Sequence, residues 1–387
     1  MNPLDRESWL ADLRQRVPEL APAEALRKQA QGALLIDVRE DNERASGSPV
    51  GALALSRGFL ELRIESQEPR REREILTLCG SGMRSLFAAE ALQRMGYRNV
   101  ASIAGGFERW KSEGLPISVA LLDTDSAERY ARQLRLPQVG EAGQARLGQA
   151  SVVLLGAGGL GAPAALYLAA AGVGRLTLID DDRVERSNLH RQVIHADARV
   201  GMAKTESARM TLNALNPRVN IELRNERLRA DNVEQLLRGH DLVVDGADNF
   251  PARYLLAAAT RRLNMPMVYG AVERFTGQVG VFDPRRSDSP CYRCLFPEPP
   301  DAADAPNCSE AGVLGVLPGI VGLLQATEAL KLILGIGEPL VGRLLSFDAL
   351  RMRFRETRLP RDPACPGCGA QAEFHGYADI ERFCAAS

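Results

Sequence analysis

The sequence predicts an α/β protein made of two parallel-sheet units in one chain. Three observations carry this. Short apolar runs alternate with amphipathic segments over residues 22–118 and again over 127–370, the pattern of strands joined by crossover helices. A polar stretch, "LLDTDSAERY", separates the two series, and residues 119–126 are read as a linker. The second series opens on "ASVVLLGAGGLGAPAALYLAAAG", a strand, a glycine loop and a helix.

In the first series, "GALLIDVRE" reads as a buried strand and "REREILTLCG" as a second strand running into a loop. "SLFAAEALQRMG" is a helix, with Leu86, Ala89, Leu92 and Met95 on one face and Gly96 as its stop. "NVASIAGGFERWKSEGLPI" supplies a strand, a glycine turn and another helix, and residues 1–21 read as an N-terminal helical extension. In the second series "ERYARQLRL" is an opening helix. "RLTLIDDD", "HDLVVDGADN" and "PMVYGAV" are further strands, and "GIVGLLQATEALKLILGIG" is a long apolar helix. The acidic, Pro-rich "PEPPDAADAPN" reads as a mobile loop, and residues 371–387 as a tail without an assigned role.

The chain has 387 residues, is 45% hydrophobic and 25% charged, and carries a formal net charge of -1. No basic excess argues for a nucleic-acid partner. The first residues lack an apolar signal core, and no run is expected to be long and apolar enough to span a bilayer, so a cytoplasmic protein is expected. Seven cysteines, an odd number, argue against a disulfide framework and for metal binding or reactive thiols. Four form two CxxC pairs, leaving Cys79, Cys308 and Cys384. His190, His195, His240 and His375 show no ligand or triad spacing and are read as structural.

Gly156, Gly158, Gly159 and Gly161 lie in "GAGGLG", which places GxGxxG between a strand and a helix. Such a loop lets backbone approach a phosphate while the helix N-terminus supplies donors. Asp180 closes the next strand, where it could hold a ribose hydroxyl. On those residues alone, a nicotinamide cofactor is the default reading. Asn188, Arg191 and Lys204 do not fit it, because a dinucleotide needs no fixed cations there. A triphosphate losing pyrophosphate does, since negative charge builds on the leaving oxygens. Asp245, Asp248 and Asn249 end "LVVDGADN", on the side where open α/β sheets bind ligands, and a carboxylate there is a candidate magnesium ligand.

"GAGGLG", "DxDxVxxSNLxRQ" (with Asp180, Asp182 and Asn188), "VGxxKxxSA" and "DGADN" together resemble, over about residues 125–369, the MoeB/ThiF adenylyltransferases. These are relatives of ubiquitin-activating enzymes that activate small ubiquitin-like sulfur carriers. The resemblance implies a Rossmann-like, ATP-dependent domain that adenylates a carrier's C-terminal glycine. It implies that Lys204 and Arg191 hold phosphates, Asp180 the ribose and Asp248 magnesium. Arg132, in "RYARQ", matches an arginine delivered by the partner subunit of a homodimer. Cys308, in "NCSEAGV", matches a loop cysteine that in some members forms a covalent link to the carrier.

Cys291 and Cys294 in "PCYRCLF", and Cys365 and Cys368 in "ACPGCG", suit a tetrahedral zinc ion. The 70 residues between the pairs make this a long-range clamp, with redox CxxC pairs as the alternative; the family pattern also favours zinc.

"LCGSGMRS" encloses four residues between Cys79 and Arg84. Phosphatase loops of this type enclose roughly five, so this smaller nest suits one sulfane sulfur. A helix starting near Ser85, together with Arg84, should favour the Cys79 thiolate. With "LLIDVRE" and "GGFERWKSEGLP", residues 22–118 resemble a single rhodanese domain. "GSPVGA" stands where such domains usually have a histidine and an isoleucine before the glycine. Asp37 and Arg39 are read as structural. The two halves together imply a carrier thiocarboxylate, with a cysteine desulfurase as sulfur donor. The rival readings are a nicotinamide-dependent oxidoreductase and a non-catalytic sulfur-relay scaffold.

Overall fold

A computed structural model describes residues 5–44, 46–118, 121–298, 312–378 and 380. The chain divides into two compact units, Met1–Arg129 and Tyr130–Ser387.

The first unit is built on a five-stranded parallel sheet in the order Glu19–Leu20, Val100–Ile103, Ile75–Leu78, Leu34–Asp37 and Leu53–Ala54. Its central strands are buried along nearly their whole length, with Asp37, Thr77 and Ser102 as their only polar residues, because helices cover both faces. Alternate residues feed two cores. Leu35, Leu76, Leu78 and Ile103 meet Trp110 and Phe107 on one side, and Ile36, Ile75 and Val100 meet Leu86, Ala89 and Leu92 on the other. The expected N-terminal extension contains the helix Arg6–Arg16, capped by the Asp5 carboxylate. Leu10 and Leu13 join the second core, and Trp9 meets Phe87 edge-on at 4.9 Å.

The second unit carries an eight-stranded sheet. Five strands are parallel, in the order Asn220–Arg224, Arg175–Ile179, Ser151–Leu155, Leu242–Asp245 and Met267–Glu273. The chain order therefore reverses between Ser151–Leu155 and Leu242–Asp245. The crevice beyond the carboxyl ends of those two strands is where such a sheet binds its ligand. Three antiparallel strands, Thr276–Phe282, Arg343–Asp348 and Arg353–Arg358, extend the sheet beyond the parallel part.

Two expectations change. "ERYARQLRL" is not one helix but two short ones, Thr124–Arg129 and Ala131–Leu134. Tyr130 leaves helical geometry (φ -99°, ψ 13°) between them, and its buried hydroxyl accepts from Asn216 Nδ2 at 2.9 Å. The apolar helix Val316–Leu334 is, by length and composition, long enough to cross a membrane, contrary to expectation. Here it packs on the helix Gly161–Ala171 and on the strands Met267–Glu273 and Thr276–Phe282. Its buried Gln325 donates to the carbonyls of Asp245 and Val268, and its buried Glu328 accepts from Leu340 N–H, so its polar positions serve a protein interior.

Candidate active sites

The strand Ser151–Leu155 ends at Gly156, whose φ of +89° admits little else, and the helix Gly161–Ala171 begins five residues later. A Cβ at Gly161 would stand 1.9 Å from the Gly156 carbonyl oxygen, so this glycine closes the turn and does not face the ligand. Gly156, Gly158 and Gly159 do line a cleft of about 640 Å³ at the switch point. The same cleft is lined by Asp180, Asp182, Arg191, Lys204, Asp248 and Asn249. Residues spread over the 93 positions from Gly156 to Asn249 thus converge because most of them end a strand or open the segment that follows it.

Each Asp180 carboxylate oxygen accepts a backbone N–H, from Ala157 at 2.8 Å and from Asp182 at 2.9 Å. That ties the acid to the glycine loop and leaves lone pairs for a ligand. Burial pushes its pKa up. Lys204 is only 5% exposed, and its Nζ donates to Asp182 Oδ2 at 2.6 Å. Arg191 is held by Asn188, whose Oδ1 accepts at 2.8 Å; Asn188 itself is not part of the cleft lining and positions the arginine. Asn249 caps the helix Phe250–Arg262 through Ala252 N–H at 3.0 Å and donates to Asp248 Oδ1 at 3.1 Å. Asp248 therefore stands exposed over the cleft. The carboxylates of Asp180, Asp181 and Asp182 lie within 4.8 Å of one another. A nucleotide polyphosphate with a hard cation fits this set: a glycine cradle, two cations, convergent carboxylates and a buried Gln192 Oε1 without a hydrogen-bond partner among the described residues.

Some residues of the site give no signal in the sequence motifs. Arg253 lies under the cleft 3.3 Å from the buried Asp245 carboxylate and donates to the carbonyls of Ala247 and Gly270. Burial raises the Asp245 pKa to about 6. His195 bridges Ser207 Oγ (2.9 Å) and the Ala157 carbonyl (3.0 Å), bracing the glycine loop from behind. Burial lowers its pKa from 6.5 to about 4. A histidine held neutral in the fold takes up its proton first in the unfolded chain, so its stabilisation is complete above pH 6.5 and is lost as pH falls from there toward 4. His195→Gln is expected to lower the melting temperature at pH 7 but to show a shallower further fall between pH 6.5 and 4.5 than the wild type. Parallel melting profiles would remove His195 from the acid sensitivity.

Arg132, on the exposed helix Ala131–Leu134, does not line the cleft of its own chain. Cys308, the Pro-rich segment from residue 299 onward and Cys384 lie outside the described residues.

In the first unit, the strand Ile75–Leu78 delivers Cys79 to the floor of a loop that becomes the helix Met83–Arg94, two residues earlier than expected. Cys79 is 1% exposed; its Sγ accepts from Gly82 N–H at 3.2 Å and lies 3.4 Å from Ser85 Oγ. Behind the loop, Phe107 and Glu108 N–H donate to the carbonyls of Cys79 and Gly80 at 2.7 and 3.0 Å. Gly106 makes that possible, since a Cβ there would stand 2.3 Å from the Cys79 oxygen. Asp37 and Arg39 form a buried ion pair at 2.6 Å, with the guanidinium stacked on Phe107. That is the structural role expected of them. Arg84 does not stand alone beside the loop. Glu43 accepts from both of its terminal nitrogens, and no sequence motif marks Glu43.

The four CxxC cysteines meet. Cys291 Sγ lies 3.6 Å from Cys365 Sγ and Cys294 Sγ 3.4 Å from Cys368 Sγ, all four within 4.8 Å. These spacings are far beyond a disulfide's ~2.0 Å and close to the ~3.8 Å edge of a tetrahedron with ~2.3 Å zinc–sulfur bonds. Gly367 lets the second knuckle close on the first, its Cβ position being 3.1 Å from Cys291 Sγ. Hydrogen bonds from Cys291 and Cys294 pull the Cys368 thiol well below its usual range. Four thiol donors with no carboxylate or histidine fit a closed structural zinc site. One zinc per chain is expected by elemental analysis, and Cys365→Ser is expected to lower both metal content and melting temperature. Metal-free protein of unchanged stability would rule the site out.

A doubly wound sheet with an acid-and-cation-lined polyphosphate cleft, together with a separate loop presenting one cysteine, defines an enzyme of nucleotidyl and sulfur transfer. The ThiF family profile matches residues 130–367 and the rhodanese-like domain profile residues 21–113. A sulfur carrier protein adenylyltransferase of Thermus thermophilus is 51% identical over 263 residues, 67% of this chain and 97% of that protein. A SAMP-activating enzyme E1 of Haloferax volcanii is 51% identical over 64% of this chain and 91% of its own length. The adenylyltransferase and sulfurtransferase MOCS3 of Drosophila yakuba is 42% identical over 84% of this chain and 72% of its own. Among solved structures, E. coli MccB with ATP shares the fold, with a TM-score of 0.54 and 23% identity over 68% of this chain and 80% of its own. The chain belongs to the ThiF family, as an adenylyltransferase with an N-terminal rhodanese-type sulfurtransferase domain.

Proposed function

We propose that the chain adenylates the C-terminal glycine of a ubiquitin-like sulfur-carrier protein and then converts that carboxylate to a thiocarboxylate. One observation carries the reading: Arg191, Lys204 and Asp248 converge with the glycine loop in a single cleft. A dinucleotide-dependent hydride transfer leaves that convergence unexplained. The names of the relatives support a sulfur carrier as substrate, and we take that carrier to be of the molybdopterin-synthase or thiamine-thiazole type.

The carrier's carboxylate is already ionised, so no general base is needed. Its oxygen bonds to the α-phosphorus as the bond to the β-phosphate oxygen breaks, and pyrophosphate leaves with the electron pair. Lys204 and Arg191 stabilise the charge that gathers on the leaving oxygens, and Asp180 orients the ribose. Magnesium, bound by Asp248 and the neighbouring acids, would neutralise phosphate charge. Arg132 completes the cleft of the partner subunit in a homodimer. A cysteine desulfurase loads Cys79 with sulfur. The Cys79 persulfide attacks the acyl adenylate, forming a carbon–sulfur bond and releasing AMP. Cys308 then attacks Cys79 Sγ, releasing the thiocarboxylate and leaving a disulfide that an external thiol reduces. Joining both units in one cytoplasmic chain raises their effective concentration.

The test is ATP–pyrophosphate exchange with and without a candidate carrier. Carrier-dependent exchange is expected. Absence of exchange with every ubiquitin-like carrier offered, or hydride transfer to a nicotinamide nucleotide, would overturn the reading.

A further inference from the structure

Glu43 stands on the short helix Asp41–Arg44, far in sequence from the loop it reaches. Its carboxylate takes both terminal nitrogens of Arg84, at 2.7 and 2.5 Å. The pair lies over Gly80, the residue after Cys79: a Cβ there would be 3.5 Å from Arg84 Nη2 and 3.7 Å from Glu43 Oε1. Glu43 is fixed in turn by Glu40 N–H on its carboxylate and by Arg39 Nη1 on its carbonyl, both at 3.2 Å. Arg39 spends its own charge on Asp37. The Arg84 hydrogen bonds pull the Glu43 carboxyl down to about 2, so the pair stays ionised at any physiological pH. A bidentate guanidinium–carboxylate pair uses the same two donors that would grip an incoming oxyanion.

We infer that Glu43 sets the donor specificity of the Cys79 loop: by occupying Arg84 it withholds the cation a small anionic sulfur donor needs, and so favours a persulfide recognised through its own protein surface. This rests on the reading of Cys79 as the sulfur-carrying residue. With the favoured donor, the Cys79 thiolate attacks the outer sulfur of R–S–SH. The donor S–S bond breaks, R–S⁻ leaves with its electron pair, and Cys79–S–SH forms. With thiosulfate the same attack expels sulfite, and two negative charges must first be brought beside Glu43. Only the second route suffers from the carboxylate.

The experiment uses the full chain with cyanide as sulfur acceptor and two donors that differ in charge, the thiosulfate dianion and a monoanionic aryl thiosulfonate. Glu43→Gln preserves shape and removes the charge. It is expected to lower the thiosulfate KM roughly tenfold at low ionic strength, to lower the thiosulfonate KM less, and to leave kcat within about twofold. Glu43→Asp should stay near wild type, and Arg84→Ala in the Glu43→Gln background should erase the gain. An unchanged or raised thiosulfate KM, or equal falls for both donors, would overturn the inference. Cys79→Ala, run in parallel, separates the two levels. Turnover that survives it sinks the reading of Cys79, whereas turnover that depends on Cys79 but ignores Glu43 sinks only the gate.

Discussion

Lys204→Ala is expected to lower ATP–pyrophosphate exchange by about a hundred- to a thousandfold, the usual size of one lost electrostatic contact at a centre where charge develops. Two effects add. The ammonium is nine-tenths buried in the cleft wall, where water screens it poorly. Its hydrogen-bonded partner, Asp182, would then present an uncompensated carboxylate to the phosphates. Lys204 opens the helix Lys204–Leu215, and the core residues of that helix lie elsewhere, at Ala208 and Leu212, so the fold should persist. Sulfur loading of Cys79 should be unaffected. Exchange within about threefold of wild type would take Lys204 out of the reaction.

Cys79→Ala is expected to abolish carrier thiocarboxylate made from a persulfide donor while leaving exchange untouched. Adenylation involves no thiol, whereas the relayed sulfur has no other thiol to rest on in "LCGSGMRS". Free sulfide should bypass the block by attacking the adenylate directly. The measurement is carrier mass after incubation with ATP and the donor. A wild-type yield of thiocarboxylate from the variant would end the relay reading.

Much of this was legible because it is local. The GxGxxG turn, Asp180 at the end of the next strand and the two CxxC knuckles each declare themselves within a few residues, where spacing alone fixes geometry. Residues that work by meeting distant partners did not show. Glu43 reaches Arg84 across 41 positions, and Gln325 reaches the Asp245 carbonyl across 80. Nothing in "EDNER" or "LLQATEA" advertises either contact. The strand Arg353–Arg358 was equally hidden: it is exposed throughout and shows none of the alternation that marks a half-buried strand. The helix Met83–Arg94 starts two residues before "SLFAAEALQRMG" because Gly82, at φ +95°, lets the turn begin earlier.

With zinc bound, the cysteine clamp would join residues 74 apart and close a ring that contains the helix Val316–Leu334 and both outer antiparallel strands. A cross-link of that span removes about 4 kcal/mol of chain entropy from the unfolded state, by the reasoning used for disulfides, and reducing agents do not cut it. Closure entropy grows only with the logarithm of ring size, so doubling the ring would cost just ~0.6 kcal/mol more. The stretch between Cys294 and Val313 can therefore lengthen or shorten at little cost to stability. Its length is free to be set by whatever must be reached from it.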